Sequence, residues 1–113
     1  MTLSQVRAYA LTLPDATEEP HFDRTSFRVH GKIFATARPK EPHIHVFVDE
    51  LDRNQAVTRY PDHIEKLWWG KKVVGLRIRL ETAPVAAVKK LLLNAWRMKS
   101  PASLAGRKVS KRP

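Results

Sequence analysis

The stretch Lys72–Leu80 constrains this chain more than any other. Val74, Leu76, Ile78 and Leu80 alternate with Val73, Gly75, Arg77 and Arg79. As a strand, it turns the first set to one face and the second set to the other. A strand with one apolar face needs a cover, and the sequence supplies one immediately downstream. Val85, Val88, Leu92, Ala95 and Trp96 recur at helical spacing, with Pro84 in the first turn and Ser100-Pro101 as the stop. The pairing of a one-sided strand with an amphipathic helix predicts a sheet covered by helices on one side and open on the other.

The rest of the chain extends this pattern. Ser4 is read as the cap of a first helix through Val6, Tyr9, Ala10 and Leu13, stopped by Pro14. The acidic segment Asp15–Asp23 carries Pro20 and is read as a loop. Thr25–His30 and Lys32–Ala37 read as strands joined at His30-Gly31, where glycine accepts positive φ. His43–Val48 is a third strand, and Asp49 caps a helix to about Arg59. One more short strand fits around Trp68-Trp69-Gly70, and a helical turn fits Ala102–Ala105. Strands clustered between helices predict an α+β fold, a single domain with an antiparallel sheet and helices packed on one side. The domain is expected to span 1–106, with 107–113 as a flexible basic tail.

The chain has 113 residues, 42% hydrophobic and 28% charged, which suits one folded domain. It has no cysteine, so a disulfide scaffold and thiolate chemistry are excluded. The N-terminus has no long apolar run of the secretory kind. No apolar run reaches the ~18 residues of a membrane span. The expected compartment is the cytoplasm.

Charge is divided unevenly. Residues 66–113 hold 13 Lys and Arg against one acid, Glu81, whereas residues 1–65 hold 8 basic and 10 acidic groups. The net charge of +10 therefore belongs to the second half. A neutral half joined to a basic half makes a directed positive field, which attracts polyanions.

Several residues are candidates for contacting such a polyanion. Lys66, Trp68, Trp69, Lys71 and Lys72 interleave cations with aromatics, the mixture that holds phosphates and stacks on unpaired bases. The alternative is that one indole is core and the other partly covers it. Arg77 and Arg79 share the outer face of one strand beside Gly75, which lets a partner approach. The alternative there is an ordinary solvated sheet face, or an ion pair with Glu81 or a carboxylate of the first helix. Arg28 and His30 on the first hairpin, with Lys32 just after it, are candidates for a second basic protrusion, and Arg107 and Lys108 open the tail. The alternative for the hairpin, and the favoured one, is a solvated tip that carries charge for solubility alone. His43 and His45 share one strand face, but two imidazoles do not complete a zinc site, and His21 and Asp23 are not brought near them by any pattern. Glu18, Glu19, His21 and Asp23 lack a matched nucleophile, so no catalytic residue, metal or cofactor is expected.

Several separated segments resemble the MmcQ/YjbR family of small bacterial proteins. They are LPDATEEPHF (13–22), SFRVHGKIFAT (26–36), GLRIRL (75–80) and AWRMKSPASL (95–104). The resemblance covers about Val6 to Leu104. It implies a CyaY-like α/β fold and a DNA-binding role with a double-wing arrangement. It brings no iron chemistry from frataxin-like relatives, because the acids lie scattered in 1–65 rather than on a ridge.

Charge and resemblance lead to the same expectation: a non-enzymatic, monomeric module that binds nucleic acid, DNA rather than RNA. Contacts run mainly to phosphates through Lys66, Trp69, Lys71, Lys72, Arg77, Arg79, Arg28, Lys32, Arg107 and Lys108. The competing expectation is a protein- or small-ligand-binding domain whose basic face meets an acidic partner. Competition by nucleic acid separates the two.

Overall fold

The computed structural model describes residues 1–105. Along the chain run α1 (Leu3–Ala10), β1 (Ala16–His21), β2 (Arg24–Val29), β3 (Lys32–Ala37), β4 (His43–Val46), α2 (Glu50–Arg59), β5 (Ile64–Trp69), β6 (Lys72–Arg79), α3 (Val85–Lys99) and α4 (Ala102–Ala105). The strands form one antiparallel sheet in the order β1-β2-β3-β4-β6-β5. α3 lies against β2, β3 and β4, α1 packs on α3, and α2 packs on β5 and faces α3 across a shallow cleft. The expected α+β class is the one the chain adopts. Among the described residues no helix is long and apolar enough to cross a membrane.

The alternation read in Lys72–Leu80 extends across the sheet. Ala37, Ile44, Ile78 and Ile64 stand in one cross-strand row, and Phe27, Ala35, Val46 and Leu76 stand in another. All eight are buried, as are Val88, Leu92, Ala95 and Trp96 of α3 and Val6 and Ala10 of α1. Trp96 is fully enclosed and donates its indole N–H to the Pro14 carbonyl at 2.9 Å. Its one polar atom is therefore satisfied inside the core.

Three elements depart from the sequence expectation. Asp15–Asp23 is not a loop: it holds β1, an edge strand. An edge strand tolerates Pro20, because a missing N–H costs nothing where no further strand pairs. Its Glu18 is anchored by Arg7 (Nε at 2.6 Å, Nη2 at 3.0 Å) and by the Thr25 hydroxyl at 2.6 Å. Hydrogen bonding from Arg7 holds the Glu18 carboxyl below its ordinary range. The short strand around the tryptophans is the full-length β5, at the opposite edge. Thr2 rather than Ser4 caps α1, through reciprocal bonds in which Gln5 N donates to Thr2 Oγ1 (3.2 Å) and Thr2 N donates to Gln5 Oε1 (2.9 Å). The Asp49 cap of α2 is present, accepting from Asp52 N at 2.9 Å.

Two hairpin turns shape one end of the sheet. His30 (φ 49°) and Gly31 (φ 79°) make the β2–β3 turn, with positive φ at both central residues. Gly70 (φ 62°) opens the β5–β6 turn. Both β3 and β6 pair antiparallel with β4, so they run parallel to each other. Each begins just after its own turn, so both turns lie at the same end of the sheet. The helix α3 returns to that end, and Met98 and Lys99 of its last turn line the same groove as Trp68 and Lys72.

Candidate nucleic-acid interface

The β5–β6 hairpin carries the exposed aromatics of the second half. Trp69 is 80% exposed and Trp68 59%. Along β5, Glu65 shares the uncovered face with Arg77, Ile64 is buried under the helices, and Leu67, Trp68 and Trp69 all line one open groove. Between Leu67 and Trp68 the register slips by one residue, leaving Val74 on β6 without a partner. Such a bulge bends and twists the strand pair. Neither indole reaches the core, whose only tryptophan among the described residues is Trp96. The reading in which one of the pair is buried is thereby corrected: β5 is an edge strand, and α3 fills the core with its own aromatic.

Beside the hairpin lies an open groove of about 650 Å³. Phe47, Leu67, Val73, Val74 and Met98 supply its apolar surface, and Arg53, Lys72 and Lys99 supply cations. Lys66, Lys71 and Lys72 are exposed. The ion pairs among the described residues engage Arg7, Arg24, His30, Arg38 and Arg77 and leave these three lysines out.

The uncovered face of the sheet is built differently. Glu19, Ser26, Thr36, His45, Arg77 and Glu65 form one polar row across all six strands. Arginine side chains lie flat over it. Arg28 donates from Nε to Ser26 Oγ (2.8 Å) and from Nη2 to the Pro20 carbonyl (3.3 Å). Arg24 Nε donates to Thr36 Oγ1 at 3.1 Å, and Arg24 also pairs with Glu41 at 3.2 Å. Ser26 and Thr36 are consequently buried. Arg77 pairs at 2.8 Å with Glu65, its cross-strand neighbour, rather than with Glu81 or a carboxylate of the first helix. Arg79 is exposed opposite His43. Gly75 is not an opening for a partner: a Cβ there would stand 2.6 Å from the Val46 carbonyl oxygen and 3.0 Å from the Phe47 ring.

Burial, reinforced by Arg24 and Arg77, pushes the His45 imidazole down to about 4, and His43 is lowered by burial with Arg77 and Arg79 nearby. Neutral imidazoles can ligate metal, but arginines beside them repel a cation. Among the described residues no three His, Asp or Glu side chains assemble as a metal site. Glu18, Glu19 and Asp23 border one open pocket together with Arg7 and Arg24, and two of these carboxylates are engaged by arginines. Glu18 is held by Arg7, Asp23 is ion-paired with Arg38, and the His21 ring packs edge-on against Phe22 at 4.8 Å.

The sequence candidates thus separate. Lys66, Trp69, Lys71 and Lys72 gather on one hairpin, and Arg77 and Arg79 lie on the uncovered face of its second strand. Arg28 and Lys32 belong to the other hairpin, and Arg107 and Lys108 fall outside the described residues. Sequence reasoning missed Arg53, Phe47, Met98 and Lys99. Only the strand order and the antiparallel return of α3 bring them beside the tryptophans.

Comparison with known proteins agrees with this architecture. The YjbR family model matches residues 11–98. The fold is similar to the crystal structure of Deinococcus radiodurans protein DR2400, whose family-model domain is DUF419. The TM-score is 0.76 at 18% identity, over 86% of this chain and 77% of that one. No curated protein matches the chain.

Proposed function

The chain belongs to the YjbR family, and we propose that it is a cytoplasmic, monomeric, non-enzymatic module that binds DNA through the phosphate backbone with little sequence preference. The observation that carries this reading is the β5–β6 hairpin. Lys66, Lys71 and Lys72 stand exposed and outside the ion pairs of the described residues, at one end of the sheet in a chain with a net charge of +10. Ammonium groups in that state release condensed counterions when they meet phosphates, which is the main source of nonspecific affinity. Arg79 adds a fourth cation on the same hairpin, and Arg77, already paired with Glu65, adds less. No helix among the described residues is presented as a base-reading element, so affinity is expected to be similar across sequences. The non-enzymatic part of the reading is supported by how these carboxylates are used: Glu18, Asp23, Glu41 and Glu65 are each paired with an arginine.

The test is a fluorescence titration with DNA at several salt concentrations. With about four to six phosphates engaged, log K falls with log salt at a slope of roughly −4 to −5, and Kd is on the order of 10⁻⁴–10⁻⁶ M. Absence of binding to any DNA at low salt overturns the reading.

A further inference from the structure

We propose that the β5–β6 hairpin takes single-stranded DNA in preference to duplex, stacking unpaired bases on Trp68 and Trp69 while the surrounding cations hold the phosphates. This rests on the DNA-binding reading above and deepens it. Gripping phosphates alone requires no aromatic surface, yet two adjacent indoles stand 59% and 80% exposed between Lys66 and Lys71. They lie on an edge strand, so no neighbouring strand obstructs a chain passing along β5. Both indoles line the groove of about 650 Å³, a size that accommodates ligand-sized groups. Leu67, Val74 and Met98 give that groove apolar surface, and Lys72 and Lys99 give it charge. The acid beside it, Asp49, is turned to the start of α2, where it accepts from Asp52 N.

A base within a duplex has both faces occupied by its neighbours and cannot lie on an indole without being pulled from the stack. An unpaired base has free faces, and every base has a π-face, so stacking tolerates any sequence. Aromatic faces flanked by cations are therefore matched to a flexible anionic strand rather than to a rigid double helix.

The experiment compares a labelled oligo(dT) of about ten nucleotides with a duplex of the same length, a span suited to one small domain. Intrinsic tryptophan fluorescence is followed in parallel. The wild-type protein is expected to bind oligo(dT) about tenfold or more tighter than duplex, with quenching of the emission. Trp69→Ala and Trp68→Ala should each weaken oligo(dT) binding by roughly 5- to 150-fold and leave the salt slope unchanged. In the Trp68→Ala, Trp69→Ala double variant the quenching disappears, because the remaining Trp96 is fully buried. Trp69→Phe retains a ring and should keep most of the affinity, which guards against loss by misfolding. Equal affinity for the two forms with a normal salt slope overturns the single-strand proposal and leaves the phosphate reading standing. Absence of binding to both overturns the two together. Oligo(U) bound more than about tenfold tighter than oligo(dT) overturns the assignment to DNA, since a stacking site does not read the 2′ position.

Discussion

The β2–β3 and β5–β6 hairpins share a construction and differ in what they leave unused. Both close on a short turn that needs positive φ, and both turns sit at the same end of the sheet. In the first hairpin most of the chemistry is consumed internally, although Lys32 is exposed. Val29 and Phe34 are buried, His30 Nε2 lies 2.8 Å from Asp15 Oδ2, and Arg28 is hydrogen-bonded flat across its own strand. In the second, the side chains of Trp68, Trp69, Lys71 and Lys72 are exposed and, among the described residues, take part in no side-chain hydrogen bond or ion pair. The two hairpins are therefore unequal: the side chains of the first are largely engaged within the fold, whereas those of the second stand exposed.

The two hairpins should differ most in what they contribute to stability. Phe34→Ala empties a fully buried site in the first hairpin and should cost about 3–5 kcal/mol in a urea denaturation. Trp69→Ala in the second should shift stability by no more than about 0.5 kcal/mol. If the two variants cost the same, Trp69 is packing the fold and the contrast fails.

A smaller effect concerns β4, which lies between the hairpins. Burial beside Arg24 and Arg77 holds His45 at about 4, against its ordinary 6.5. The folded protein keeps this imidazole neutral while the unfolded chain takes up a proton. Stability from His45 is thus fully present above the unfolded value and is lost as pH falls from there towards about 4. Because the side chain is only half-buried, the loss between about pH 7 and about pH 5 should be on the order of 1 kcal/mol. His45→Gln should flatten that part of a stability–pH curve. An unchanged curve would show that the imidazole titrates in the fold as it does in the open chain.

Period-2 alternation made β6 legible, because one face is buried and any slip would expose Leu76 and Ile78. The core role of Trp96 was legible from helical spacing. β1 was not, since Pro20 and paired glutamates mark a loop in most contexts and fit a strand only at an edge. Trp68 and Trp69 were ambiguous for a related reason: their exposure depends on β5 being the last strand and on how far the helices reach, neither of which is written locally. The pairing of Arg77 with Glu65 follows from strand register, and no spacing rule reveals that register. The charge imbalance singles out the half of the chain that carries the β5–β6 hairpin, but it counts paired and unpaired cations alike.

If the unengaged cations of the β5–β6 hairpin provide the DNA contact, the salt dependence of binding registers them one by one. Combined Lys66→Gln, Lys71→Gln and Lys72→Gln should reduce the magnitude of the salt slope by about 2.7, about 0.9 for each phosphate no longer neutralised. Arg28→Gln with Lys32→Gln in the other hairpin should reduce it by no more than about 0.9. An equal or larger reduction from the β2–β3 pair, or a full slope retained by the triple lysine variant, would place the phosphate contact away from the β5–β6 hairpin.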